Sequence, residues 1–337
     1  MTLTCHTSSI AINPLIENSV KNLISPQQEG IMSTLMAFIK RHPVPVYFAL
    51  TFAISWSGFL IVVGSSGIPD TPEQFERLLP SAILVMLAGP SVTSILLTGL
   101  VDGRAGFREV LSRLLRWRVE VRWYAVALLI APLLSAAVLL PLSLTSSAFL
   151  PGLIASDDKA SRLLFGIVTA LVVGVFEELG WTGFAVPRLR LRYGILTTGI
   201  IVGVLWGAWH LLTNVLWASD TTAGGLSPDL FLLLRGFGLL VGGLVAFRVL
   251  MVWVYDRTGS LLVAMLMHMS LTASSFIINP LEISGAALLI YDYVSAAAWW
   301  TIVAAIAIAN GGQFSRQPLP RRGGEKISRT SLVANVE

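Results

Sequence analysis

Glu177 and Glu178 stand side by side in the apolar run LFGIVTALVVGVFEELGWTGF, and two histidines, His210 and His268, each lie deep in an apolar run of their own. A carboxylate at the centre of a bilayer costs about 2.5–3.5 kcal/mol on insertion scales, so such a group persists where it pairs, binds a metal or lines a wet cavity. Carboxylates and imidazoles are also the groups that general acid–base hydrolysis uses: one activates water, another stabilises the oxyanion, and one returns a proton to the leaving group. The four residues therefore mark an expected intramembrane active site.

Positioning them requires helices. The chain is 55% hydrophobic and 12% charged, with mean hydropathy +0.76, about half the charge of an ordinary soluble domain. That composition predicts an all-α, polytopic membrane protein. Apolar runs of spanning length cover 45–65, 81–101, 123–146, 163–187, 194–217, 229–254, 259–279 and 286–310, which predicts a bundle of eight transmembrane helices within a domain over 44–310. Nineteen of the 23 Lys and Arg fall on one side of that arrangement, leaving Arg77, Lys159, Arg162 and Arg235 for the other. By the positive-inside rule both termini are cytoplasmic, and an odd number of spans would break the pattern. The formal charge of +4 is explained by topology and contact with anionic lipid, with no nucleic-acid partner.

Residues 1–43 read as a partly disordered cytoplasmic segment and 311–337 as a basic cytoplasmic tail. Residues 1–31 lack a signal-peptide layout, and Met32 is an alternative start. Cys5 is the only cysteine, which excludes an intramolecular disulfide and any CxxC metal site. His6 and His42 lie outside the spans and receive no chemical role. Trp117, Trp123 and Tyr124 suit the headgroup level, and Trp299 and Trp300 suit packing between helices. Arg235 and Arg248 sit near the ends of the sixth run and are expected to snorkel.

Small residues at every fourth position form two stripes. Gly166, Ala170 and Gly174 run into the glutamates, and Gly199, Gly203 and Gly207 run into His210. Such stripes let transmembrane helices approach closely, so each is expected to carry a reactive group to a tight helix contact. Glu178, His210 and His268 can share one depth when counted from their helix ends at 1.5 Å per residue. Asn214, one turn past His210, is a further candidate site residue.

The segments EELGWTGFAVPRL, LWGAWHLL and MLMHMSLT together resemble the CPBP intramembrane proteases, also called the Abi family, which include the CAAX prenyl endopeptidase. The resemblance centres on residues 120–280. It matches Glu177 and Glu178 to the family's EExxxR, His210 to FxxxH and His268 to HxxxN. Three positions depart: Thr182 stands where the arginine would be, Trp206 where the phenylalanine would be, and Thr272 where the asparagine would be. The resemblance implies a membrane metalloendopeptidase acting on membrane-associated polypeptides, in a prokaryotic plasma membrane.

Two mechanisms stay open. Glu177, His210 and His268 would hold zinc or another divalent ion with Glu178 as base or supporting carboxylate, or Glu177 would act as base without a metal while a histidine donates to the oxyanion. Two other function classes compete: a non-catalytic scaffold or bacteriocin-immunity factor, and a proton-coupled transporter, although no internal repeat supports the latter. Oligomeric state is not legible in the sequence.

Overall fold

The computed structural model describes residues 26–64, 72–213, 226–280 and 283–310, and all regular structure among them is helical. Asn214, Cys5, His6 and the 311–337 tail lie outside the described residues. The chain divides into two units, 1–43 and 44–337. The first contains α1 (Pro26–Arg41), whose last turn carries Lys40 and Arg41, basic side chains placed where the helix dipole favours them.

The second unit is the helical bundle: α2 (Pro43–Gly64), α3 (Pro72–Leu114), α4 (Val121–Ser143), α5 (Lys159–Gly180), α6 (Ile195–Trp209), α7 (Pro228–Arg235), α8 (Val245–Thr258), α9 (Leu261–Ile277) and α10 (Gly285–Ala309). α7 and α8 join through a π-helical stretch, Gly236–Leu244, into one long apolar rod. Each of the eight expected apolar runs contains helix, but among the described residues only six helices are long and apolar enough to cross a membrane. α6 has 15 residues and α9 has 17, about 22 and 26 Å at 1.5 Å per residue, against a hydrocarbon core of about 30 Å. Among the described residues the bundle thus comprises six helices of spanning length and two shorter apolar helices, and each short helix brings one of the two candidate histidines. α6 ends in a turn at His210, after which the chain widens into π-helical winding over 211–213, and α9 stops just before Pro280, which disfavours helix at the residue before it.

The 102–122 stretch is also more ordered than a loop. At Gly103 the backbone turns through φ 58°, ψ −145°, and a second helical piece then runs on to Leu114. Only glycine accepts that conformation readily. Arg113 from this piece is buried and donates to the Tyr255 hydroxyl at 3.0 Å and the Gly183 carbonyl at 3.1 Å. Arg188 pairs with Asp102, and Arg190 with Asp256 at 2.7 Å. Part of the basic excess read as topology therefore ties helix ends together.

The small-residue stripes do what their spacing suggests. A Cβ at Gly174 would lie 2.5 Å from Met269, so α5 rests directly on α9. Cβ atoms at Gly199 and Gly203 would lie 2.6 Å and 2.8 Å from the backbones of Val249 and Val245, so α6 rests directly on α8. Trp299 is buried and meets the Phe247 ring edge-on, as expected of a packing residue. Trp123 is buried too, against Trp253, so it belongs to the core and not to a headgroup belt.

Candidate active site

The two tight helix pairs meet where the four candidate residues lie. Glu177 and Glu178 come from the last turn of α5, just before a π-helical turn, Trp181–Ala185. π turns occur often at functional sites because the extra residue per turn re-aims side chains. Here the turn brings Trp181 and Thr182 back toward the carboxylates of the preceding turn. Trp181 is fixed from the other side by Phe48, stacked at 5.8 Å, and by Tyr47 and Trp209 edge-on.

Glu177 is 2% exposed and receives two indole N–H groups on one oxygen, Oε2: Trp181 Nε1 at 3.1 Å and Trp206 Nε1 at 2.7 Å. Its other oxygen, Oε1, faces His210 Nε2 at 3.9 Å. His210 caps the end of α6, and its Nδ1 lies 2.9 Å from the Trp206 carbonyl. A carbonyl can only accept, so Nδ1 carries the proton and Nε2 of a neutral ring presents a lone pair toward Glu177. The 3.9 Å gap is too long for a direct hydrogen bond and suits one bridging water.

Glu178 is surrounded by donors of a different kind. Arg248 Nη1 from α8 lies 2.9 Å from Oε1 and 3.0 Å from Oε2, His268 Nδ1 from α9 lies 2.7 Å from Oε1, and the Thr182 hydroxyl donates to Oε2. An ionised carboxylate can only accept, so His268 carries its proton on Nδ1. Trp206 sits between the halves: its ring centroid is 5.2 Å from those of both histidines, and the Arg248 guanidinium lies over its face at 4.2 Å.

Thus all four candidate catalytic residues gather in one buried cluster, with Thr182 and Trp206 as partners. Thr272 is buried one turn after His268, and no hydrogen bond from its hydroxyl is found among the described residues. The expected snorkelling of Arg248 and Arg235 does not occur. Arg248 is fully buried because α8 continues to Thr258, ten residues past it, and Arg235 is largely buried with its Nε 3.9 Å from Asp292. Arg248 and Trp181 were missed as site residues. The signals were a cation inside an apolar run, which marks function by default, and a tryptophan four residues after Glu177, on the same helix face.

The metal-ligand set fits less well. Both histidines have Nδ1 engaged and Nε2 available, a pattern suited to ligation. Yet among the described residues no three His, Cys, Asp or Glu side chains stand close enough to share an ion. Glu177 and His210 form one pair, while His268 is turned to Glu178. No chemical step is therefore routed through a metal.

Residues 159–274 match the family described as type II CAAX prenyl endopeptidase Rce1-like. This segment is similar to that family. It contains every residue of the cluster just described. A curated relative, CAAX prenyl protease 2 of Methanococcus maripaludis, is 28% identical over 137 residues, which are 38% of this chain and 49% of the relative. The chain spans about half the length of that relative. With its six candidate spans, the chain is a multi-pass membrane protein with a segment, residues 159–274, similar to the Rce1-like family.

Proposed function

We propose that the protein is an intramembrane endopeptidase that hydrolyses peptide bonds of membrane-associated polypeptides. The observation that carries this reading is that each buried carboxylate has its own histidine partner, in one cluster at membrane depth. Water and free peptide carbonyls are tolerated at that depth only inside a protein-lined cavity.

A water bent between Glu177 Oε1 and His210 Nε2 donates to both and keeps a lone pair for the scissile carbonyl. Glu177 takes the proton as attack proceeds, and the two indoles on Oε2 hold the carboxylate in place for it. His268, its Nδ1–H fixed on Glu178, presents Nε2 to the developing oxyanion and, when protonated, donates to it. The proton held on Glu177 then passes to the leaving amine. Substrates are membrane-tethered or transmembrane polypeptides; prenylation is not part of the proposal.

The test is turnover of a membrane-tethered peptide library by the full chain in liposomes, wild type beside Glu177→Gln. Cleavage by the wild type and its loss in the variant are expected. Equal cleavage by both would overturn the assignment, and no cleavage by wild type would favour the scaffold or immunity reading.

The orientation proposed is cytoplasmic for both termini, in a prokaryotic cell membrane. In a Cys5→Ser background, Asp157→Cys at one end of the fourth span is expected to react with an impermeant thiol reagent outside intact cells, and Arg192→Cys beyond its other end is not. The reverse labelling would invert the topology.

A further inference from the structure

Glu178 is gripped from three helical segments. Thr182 reaches it from the π turn, His268 from α9 and Arg248 from α8. The EExxxR pattern would put a guanidinium at position 182, four residues after Glu178, where this chain has threonine. We propose that Arg248 occupies, from α8, the place that an arginine at 182 would fill from α5, so that Thr182 and Arg248 form one exchangeable pair and Arg248 is the positioning residue that aims Glu178 at His268. This rests on the proteolytic reading above.

Three observations converge. First, Thr182 and Arg248 address the same carboxylate, sharing Oε2. Secondly, the space is shared as well: Thr182 is 2% exposed and Arg248 is fully buried, so a second long side chain cannot enter without displacing the first. The stripe on α6 makes the entry possible, since a Cβ at Gly203 would lie 3.2 Å from the Arg248 Cβ. Thirdly, Arg248 is built into the site and not merely between helices. Its guanidinium lies over Trp206, which also donates to Glu177, and its Nε and Nη2 are buried with no hydrogen-bond partner among the described residues. A guanidinium serving only as a helix tie would be expected to spend those donors on backbone carbonyls, as Arg162 does with Ile277 and Asn279.

The experiment uses the full chain in liposomes and a membrane-tethered peptide that the wild type cleaves, with five variants: Arg248→Met, Arg248→Lys, Arg248→Thr, Thr182→Arg, and Thr182→Arg combined with Arg248→Thr. Arg248→Met is expected to lower kcat about 100-fold through misplacement of Glu178, with KM changed by less than about threefold. Arg248→Lys keeps the charge without the planar fork and is expected to recover about a tenth of wild-type kcat. Thr182→Arg alone crowds two cations onto one carboxylate and is expected to lose about tenfold or more, while the combined variant returns to within about tenfold of wild type. Retention of kcat in Arg248→Met, or a folded combined variant no more active than Arg248→Met, overturns the proposal. Thermal unfolding decides the exchange independently of catalysis: the combined variant should unfold at a higher temperature than Thr182→Arg or Arg248→Thr alone. A combined variant less stable than both singles also overturns it. Should the wild type cleave nothing, the proteolytic reading fails while the unfolding comparison still judges the exchange.

Discussion

Glu177 and Glu178 are joined by one peptide bond yet face two differently built halves of the cluster. The Glu178 half is a hydrogen-bonded chain, Arg248 to Glu178 to His268, anchored by the ion pair of Arg248 with Glu178, with the arginine and glutamate side chains fully buried and the histidine 3% exposed. The Glu177 half has only neutral donors, and its histidine side chain is 16% exposed. One carboxylate has short contacts to a guanidinium, an imidazole N–H and a hydroxyl, while the other keeps one oxygen without a hydrogen bond among the described residues, at 3.9 Å from an imidazole lone pair. A group saturated by fixed partners can hold geometry and polarise a neighbour; a group with a free oxygen beside a free nitrogen can exchange protons with water. The environments, not the residue type, divide the roles.

The largest contrast follows from that division. Glu177→Gln is expected to lower kcat about 10³-fold, within the range for loss of a general base, with little change in thermal unfolding. Glu178→Gln leaves Arg248 buried without its counter-charge and is expected to cost about 3–5 kcal/mol of stability as well as activity. Unfolding measurements on the two purified variants check this directly. If Glu177→Gln is the less stable protein, the two halves have been assigned the wrong way round.

How much of this was legible beforehand depends on the physical reach of each signal. The small-residue stripes are local and periodic, so a tight helix contact at Gly174 and at Gly203 could be expected from spacing alone, whereas their partners, Met269 and Val245, could not. The helix of Glu177 and the runs of His210 and His268 are equally local. The signal at Arg248, a cation inside an apolar run, was outweighed because its burial depends on where α8 ends: judged by the apolar run it lay near the interface, whereas the helix continues to Thr258 and keeps it inside. The shortness of α6 and α9 was hidden for a similar reason. Hydropathy records where a run is apolar and does not register a π turn or a break within it. The pairing of each histidine with a different glutamate is a tertiary fact, invisible to motif spacing.

Trp206 joins the halves, and changing it should loosen the comparison without abolishing either half. Trp206→Phe keeps a ring between the two histidines and beneath Arg248 but removes the Nε1 donor from Glu177. A hydrogen bond to a charged group is worth about 1.5–3 kcal/mol, so kcat is expected to fall about tenfold to 100-fold while the protein still folds. Steady-state kinetics beside an unfolding curve would show it. Unchanged kcat would mean that Trp181 alone suffices to hold Glu177.

Metal removal sharpens the same comparison by a smaller effect. With the histidines divided between two carboxylates, chelator treatment is expected to change turnover by less than about twofold, because no three-donor site is assembled. Metal content of the wild type should equal that of His210→Ala. Loss of activity on chelation, restored by zinc and accompanied by stoichiometric metal in the wild type alone, would mean that the two halves close onto one ion during turnover.

A similarly small effect is expected at Thr272. It stands one turn after His268 on α9, where the HxxxN pattern would put an amide, and an amide there could support the oxyanion beside His268. In this chain the position has a shorter side chain with a single hydroxyl, and no hydrogen bond from that hydroxyl is found among the described residues. His268 is already fixed through Nδ1 by Glu178 at 2.7 Å, with the Trp206 ring against it, so its aim does not depend on Thr272. Thr272→Val preserves shape and removes the hydroxyl, and with no bond to lose it is expected to change kcat and KM by less than about threefold. A drop of about 100-fold would place the hydroxyl on the oxyanion, and the Glu178 half would then contain a second donor to substrate and not only a fixed frame for His268.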